Sequence, residues 1–183
     1  MIKCTFDIEK FKSKPDKEAA KRISNRIAKY PVELTIEEIA ERLVQPNGYT
    51  FTPGVFTEGK RRINNWQSQT IFGLDFDEGL TIPQVLERCE KYNIKPAIIY
   101  TTFSSVDDNK FRVLFVHETE VTDFRVQKLI QLALMRIFPE SDKACKDSAR
   151  IFYGGQVLKH MDTKAFFNGA LLVQEMCRYI SDT

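Results

Sequence analysis

Runs and alternations of apolar residues divide the chain into predicted strands and helices. Strands are predicted over residues 1–9, 71–77, 96–103, 110–117 and 149–153, where β-branched and aromatic residues are concentrated. Helices are predicted over residues 16–30, 36–44, 81–93, 123–137 and 170–180, where apolar residues recur at helical spacing. The segment 49–70 lacks a regular pattern and is predicted to be a long loop or a set of short strands.

Short motifs mark several element ends. The capping boxes Thr35-Ile36-Glu37-Glu38 and Thr81-Ile82-Pro83-Gln84 indicate the starts of the second and third helices. Pro46-Asn47-Gly48 is expected to end the second helix, and Gly154-Gly155 is expected to close the last strand.

The predicted order from residue 71 to residue 153 is strand, helix, strand, strand, helix, strand. This βαββαβ order is typical of ferredoxin-like and RRM-like folds. We therefore expect an α+β domain whose antiparallel sheet is covered by helices on one face and free for ligands on the other. No repeat or linker indicates a second domain, so residues 1–183 are predicted to form one domain.

Composition narrows the class of protein. With 183 residues, 43% hydrophobic and 28% charged, the chain can form one globular core, which excludes a disordered or fibrous protein. No apolar run approaches the roughly 20 residues that cross a bilayer, and the first residues lack the pattern of a signal peptide. We therefore expect a cytoplasmic protein that does not contact a membrane.

Cysteine, histidine and net charge exclude further kinds of site. The four cysteines form no CxxC pair and there are only two histidines, so neither a structural zinc site, a disulfide framework nor a His-rich metal site is indicated. A net charge of +2 is too small to indicate nucleic-acid binding by itself. The positions of the charges therefore matter more than their sum.

The predicted strand 71–77 carries the sharpest candidate site. Because side chains alternate along a strand, Gly73, Asp75 and Asp77 point to one face. Two neighbouring carboxylates repel each other unless a cation lies between them, and Mg²⁺ or Mn²⁺ would remove this repulsion. Gly73 would leave room on the same face for a nucleotide or a template base. The alternative is a strand that runs into a solvated acidic turn.

Two cations are predicted on a neighbouring strand. Lys110 and Arg112 share a face of the strand 110–117, where they would neutralise phosphate oxygens. The alternative is that they only form ion pairs with Asp75 and Asp77.

A third carboxylate is available after the fourth helix. Two-metal nucleotidyl transfer commonly uses three carboxylates. Asp142 is our first candidate for the third ligand and Asp147 the second. Each is also explained as an ordinary aspartate of a turn.

Together these motifs resemble the catalytic core of the archaeo-eukaryotic primase superfamily, above all its primase-polymerase branch in replication proteins of plasmids, phages and other mobile elements. Leu74-Asp75-Phe76-Asp77 matches the first motif, and Ser141-Asp142 followed by Arg150 matches the third. The resemblance covers residues 48–155, with residues 1–47 as an N-terminal α/β extension and residues 156–183 as a C-terminal helical part. It implies that Asp75, Asp77 and Asp142 hold two Mg²⁺ or Mn²⁺ ions and that Arg150 contacts the nucleotide or template.

The second motif departs from the superfamily pattern. The superfamily usually has a small residue, any residue and a histidine that touches the nucleotide phosphates, whereas this chain has Lys110-Phe111-Arg112. Arg112 is able to bind a triphosphate, and its guanidinium keeps its charge at every physiological pH. The resemblance also includes Thr102 and Ser104, whose hydroxyls would position phosphate or metal-bound water, although a Thr-rich strand end needs no function.

A basic and aromatic segment suits a single-stranded template. Lys60, Arg61 and Arg62 would follow the strand's backbone, and Trp66 would stack on a base. A basic turn beside a half-buried tryptophan explains the same residues equally well.

These inferences predict a DNA primase or DNA polymerase, a nucleotidyltransferase that joins NTPs or dNTPs on a single-stranded DNA template by a two-metal mechanism. In the resembling proteins this core is often fused to a helicase, so a helicase domain or subunit is an expected partner. Two alternatives remain. One is a metal-dependent nuclease that cuts single strands with water as the nucleophile, and the other is a non-catalytic replication-initiation module that binds DNA.

Overall fold

The computed structural model describes residues 1–44, 46 and 48–183. Its strands are β1 (Ile2–Phe11), β2 (Pro31–Leu34), β3 (Gly48–Thr52), β4 (Gly54–Phe56), β5 (Trp66–Phe76), β6 (Ile98–Thr102), β7 (Phe111–Val121), β8 (Gly155–Met161) and β9 (Phe166–Phe167). Its α-helices are α1 (Lys17–Arg26), α2 (Ile36–Val44), α3 (Ile82–Lys91), α4 (Phe124–Ile137) and α5 (Gly169–Asp182). None of the helices in this part of the chain is long and apolar enough to cross a membrane.

The strands form two sheets. The N-terminal sheet is antiparallel and has the order β2-β1-β3. The larger sheet has the antiparallel order β4-β5-β7-β6-β8, and β9 pairs with β7 in parallel. Along the chain, β5, α3, β6, β7, α4 and β8 follow the predicted order of strands and helices, so the predicted α+β class is confirmed.

The predicted helix starts are confirmed. The Glu38 N–H donates to Thr35 Oγ1 at 3.2 Å, and the Glu38 carboxylate accepts from the Thr35 N–H at 2.8 Å. The capping box before α3 is also present. Helix α2 ends at Val44, and Asn47 of the predicted Pro46-Asn47-Gly48 stop lies outside the described residues.

One face of the larger sheet packs against α4, on which α5 packs in turn, and Val85 and Cys89 of α3 belong to the same core. Phe72, Leu74 and Phe76 of β5 are buried on this face, as the alternation predicts. The ring of Phe76 stacks on Phe111 of β7 at 5.1 Å and meets Phe138, just after α4, edge-on at 6.1 Å. Burial of these large rings stabilises the contact between sheet and helices.

The opposite face is not free for ligands as predicted, because the N-terminal sheet and α2 cover much of it. Phe51 of β3 exchanges two backbone hydrogen bonds of 2.8 Å with Phe152, and their rings stack at 5.6 Å. A Cβ on Gly73 would lie 2.8 Å from the Phe152 ring, so the space expected above Gly73 for a nucleotide is filled by that ring. The covered face leaves a cavity at the end of the sheet at which β5 ends.

The last strand of the larger sheet lies later than predicted. Residues 149–153 do not form a regular strand, and Phe152 makes only an isolated bridge to Phe51. Strand β8 instead begins at Gly155 and pairs with β6, so two strands precede α5 in the segment predicted to be helical. As an edge strand β8 exposes Val157 and Met161, which weakens the apolar pattern that would have indicated it.

Candidate active site

A cavity of about 200 Å³ opens at the end of β5. Side chains from the end of β5, the end of β6 and the segment after α4 line it. Seven of its lining residues were predicted from the sequence, and they are Asp75, Asp77, Thr102, Ser104, Arg112, Asp142 and Arg150. The other lining residues are Lys14, Phe103, Ile151, Tyr153 and Gly154.

Asp75 and Asp142 are brought together by the backbone. The Asp142 N–H donates to the carbonyl oxygen of Asp75 at 2.8 Å, which ties the segment after α4 to the end of β5. The Asp75 N–H donates to Cys145 Sγ at 3.3 Å in the same segment. The Asp142 carboxylate in turn accepts the Ala144 N–H at 2.9 Å and caps the short 3₁₀ turn that begins there.

Arg150 lies between the two carboxylates. Its Nη2 donates to Asp75 Oδ2 at 3.0 Å and to Asp142 Oδ2 at 2.7 Å. Burial opposes ionisation of Asp142, but the hydrogen bonds from Ala144 and Arg150 outweigh it and hold its pKa below the usual value. The two carboxylates therefore share one guanidinium as their common counter-ion.

Arg112 is the second cation on Asp75. Its Nε lies 3.2 Å from Asp75 Oδ1, and the side chains of both residues are only 9% exposed. The Arg112 guanidinium also donates to the backbone carbonyl of Tyr153 and to Tyr100 Oη. Burial disfavours its charged form, but Tyr100 and Asp75 outweigh burial and raise the pKa of Arg112. Arg112 therefore carries a fixed positive charge.

Asp77 and Lys110 lie at the margin of the site. Strand β5 ends at Phe76, so Asp77 starts the following turn and its side chain is 59% exposed. Lys110 Nζ is 3.7 Å from Asp77 Oδ1, and Lys110 does not line the cavity. Both contacts are those of the alternative in which Lys110 and Arg112 form ion pairs with Asp77 and Asp75.

The resemblance implies a divalent metal, for which carboxylate oxygens are the suitable ligands. Among residues 1–44, 46 and 48–183, no three His, Cys, Asp or Glu side chains are grouped closely enough to hold a metal ion. Asp75 Oδ2 and Asp142 Oδ2 do converge on one point, the Nη2 atom of Arg150, whereas Asp75 Oδ1 faces Arg112. Oxygen donors of this kind fit one hard divalent cation at the position of the Arg150 guanidinium. Asp77 lies at the margin of the cavity with its side chain 59% exposed, and it does not form a group of three with Asp75 and Asp142 among the described residues.

The predicted DNA-binding residues lie apart from the cavity, and two of them are engaged elsewhere. The guanidinium of Arg61 donates to Ser24 Oγ at 2.6 Å and to the backbone carbonyl of Ala149. Burial lowers the pKa of Arg61. Trp66 packs edge-on against Phe124 at 5.4 Å and belongs to a small apolar cluster, so its ring is not a free stacking surface.

The remaining two predicted DNA-binding residues are exposed. Lys60 forms an ion pair of 2.8 Å with Glu58, and Arg62 points into solvent. The alternative of a basic turn beside a half-buried tryptophan describes this segment better than a template platform.

Sequence reasoning missed Lys14 as a cavity residue. It follows β1 in the N-terminal extension, far in the sequence from every motif. Unlike Arg112 and Arg150, Lys14 forms no ion pair with any residue that the structure describes. The one signal in the sequence is the repetition of lysine at positions 10, 12 and 14.

Comparisons with known proteins bear on the fold. No family model matches the chain, and no curated protein matches it. Among solved structures, the chain is similar to the AEP (archaeo-eukaryotic primase) domain of the cyanophage S-2L primase-polymerase. The TM-score is 0.56 and the sequence identity 13%, over 96% of this chain and 89% of that chain. The chain therefore has a mixed α+β fold similar to that of a primase-polymerase AEP domain.

Proposed function

We propose that this chain is a nucleotidyltransferase of the primase-polymerase type, which adds NTPs or dNTPs to a growing strand along a single-stranded DNA template. The observation that supports this most is the convergence of Asp75, Asp142, Arg112 and Arg150 in one cavity. The similarity of the fold to a domain described as a primase-polymerase supports the same reaction.

The carboxylates would hold the divalent ion. Asp75 and Asp142 converge on one position, and Asp77 lines the same cavity at its margin. Mg²⁺ or Mn²⁺ bound there supplies positive charge that favours the ionised 3′-hydroxyl and neutralises the phosphate. The 3′-hydroxyl would lose its proton to water, and its oxygen would bond to the α-phosphorus. The bond from that phosphorus to the oxygen that bridges it to the β-phosphate would break, so that pyrophosphate leaves.

The cavity's cations and hydroxyls would bind the triphosphate. Arg112 is held in place by the Tyr153 carbonyl, so its guanidinium is oriented before the nucleotide arrives. Arg150 lies at the cavity wall beside it. The hydroxyls of Thr102 and Ser104, 3.3 Å apart, offer hydrogen bonds to phosphate oxygens.

Loss of one carboxylate tests the proposal. Asp75→Asn keeps the shape of the side chain and removes its charge, and we expect it to slow primer extension at least about a hundredfold. The assay measures elongation of a labelled primer on single-stranded DNA with dNTPs and Mn²⁺. Asp107→Asn, on an exposed aspartate outside the cavity, is the matched control and should extend at the wild-type rate. Undiminished extension by Asp75→Asn, or shortening of the labelled strand without nucleotides, would contradict the proposal.

A second candidate function is favoured by the ion pairs of Asp75. Two arginines already neutralise this carboxylate, as expected of a non-catalytic DNA-binding module that keeps the fold of a polymerase. Such a module would bind single-stranded DNA in a salt-dependent manner without affinity for Mn²⁺ or nucleotides. Titrating the protein with Mn²⁺ and a non-hydrolysable nucleotide separates the two functions.

A further inference from the structure

A row of lysines connects the N-terminal extension to the cavity. Lys10, at the end of β1, and Lys12 and Lys14, in the segment before α1, are all exposed. Lys14 lines the cavity itself. Lys12 is two residues away, so its Cα lies within about 7 Å of that of Lys14. We call residues 10–14 the basic segment.

The charges of the basic segment are uncompensated. Within the described part of the chain, none of its three lysines forms an ion pair, whereas the exposed Lys60 does so with Glu58. Solvated lysines in a row are the side chains with which proteins follow a phosphodiester backbone. The basic segment is therefore able to bind phosphate without first breaking an ion pair.

An aromatic ring lies beside the basic segment. Lys10 pairs with Tyr49 of β3, and its Nζ lies 5.1 Å from the centroid of the half-buried Tyr49 ring. The preceding residue, Gly48, packs against Gly154, which lines the cavity. This contact places the start of β3, which carries Tyr49, next to the segment that lines the cavity.

We propose that the basic segment, and not the segment 60–66, binds the phosphodiester backbone of the single-stranded DNA template where it enters the cavity. The identification of the strand as template rests on the proposed function. Lys10 and Lys12 lie outside the cavity lining, so they extend the positive surface beyond the space of a triphosphate. In the segment 60–66, Arg61 and Trp66 are engaged in internal contacts.

Two double variants test this assignment, each removing two exposed positive charges. Lys10→Gln/Lys12→Gln is expected to raise the Kd for a fluorescein-labelled dT oligonucleotide about tenfold at 0.1 M salt. It should also lower the slope of log Kd against log salt by about 1.4, or about 0.7 for each lost phosphate contact on a single strand. Lys60→Gln/Arg62→Gln, with the same change in net charge, should change both quantities little. Fluorescence anisotropy measures them, and circular dichroism checks that both variants are folded.

Inorganic triphosphate distinguishes the strand from the nucleotide. The Lys10→Gln/Lys12→Gln variant should bind triphosphate as tightly as wild type. An equal loss of triphosphate and oligonucleotide binding would overturn the assignment to the strand. So would an unchanged oligonucleotide Kd, or an equal loss in the Lys60→Gln/Arg62→Gln variant. Failure of the proposed function is separate, since it would appear as wild-type protein that binds the oligonucleotide as predicted but incorporates no nucleotide.

Discussion

Arg150 carries the positive charge that lies between Asp75 and Asp142. Both carboxylates accept from the same nitrogen of its side chain, and its Nε is buried without a hydrogen-bond partner in the described part of the chain. A guanidinium in this position lets two nearby carboxylates stay ionised. A divalent cation at the same place must first displace it.

Removing Arg150 is therefore expected to favour metal binding. We expect Arg150→Gln to bind Mn²⁺ about tenfold more tightly than wild type, because the ion no longer competes with a bound guanidinium. Titration followed by the electron paramagnetic resonance signal of free Mn²⁺ measures this directly. Arg62→Gln, an exposed arginine outside the cavity, is the matched control. Equal or weaker Mn²⁺ binding by Arg150→Gln would show that the guanidinium does not occupy the metal position.

The proposed phosphate-binding charge of Arg112 is expected not to change with pH. Its pKa is raised, so it stays charged throughout the neutral range. In Arg112→His, the imidazole, with an ordinary pKa near 6.5, is charged at low pH and loses its charge as the pH rises. The ratio of the variant's Kd for a non-hydrolysable nucleotide to that of wild type should therefore increase from pH 5.5 to pH 8. A ratio that stays constant over this range would exclude Arg112 as a phosphate-binding charge.

At the scale of elements, an ion pair joins β1 to the end of α1, and the basic segment runs from the one element towards the other. Asp7 of β1 is buried, and its carboxylate accepts two hydrogen bonds of 2.7 and 2.8 Å from Arg26 at the end of α1. The hydrogen bonds to Asp7 and Glu9 raise the pKa of Arg26. This pair therefore holds the far end of α1 against β1.

Breaking that pair should destabilise the protein. Arg26→Ala leaves the buried Asp7 carboxylate unpaired, which is expected to lower the free energy of unfolding by about 3 kcal/mol. Urea denaturation followed by circular dichroism gives the value. Arg22→Ala, on an exposed arginine of the same helix, should change it by less than about 0.5 kcal/mol. If Arg26→Ala also lowered the free energy of unfolding by less than about 0.5 kcal/mol, the pair would not be what holds α1 on β1.

Elements with strong local signals could be predicted from the sequence. Helices α2 and α3 are marked by capping boxes, and β5 and β7 by dense apolar alternation. Strand β8 was not predicted because an edge strand buries little and has a weak pattern. The start of β5 at Trp66 was also missed, since the segment before Ile71 is rich in polar residues.

At the scale of the whole molecule, long-range contacts limited the prediction. The stack of Phe6, Phe51 and Phe152 joins the N-terminal sheet to the larger one, with ring centroids 5.5 and 5.6 Å apart. No local pattern specifies which distant aromatic residues meet. Asp75 and Asp142 belong to motifs, whose order in the chain predicted that they lie close together. Lys14 belongs to no motif, so its position in the cavity lining was not predicted.

The central claim is that Asp75 and Asp142 together support metal-dependent, template-directed nucleotidyl transfer. Its most direct test is single-nucleotide incorporation by wild type and Asp142→Asn on four single-stranded templates that differ only in the templating base. Wild type should add only the complementary nucleotide, only when Mg²⁺ or Mn²⁺ is present, and Asp142→Asn should be at least about a hundredfold slower. Incorporation that ignores the templating base, or that proceeds equally well without Asp142 or without metal, would contradict the account.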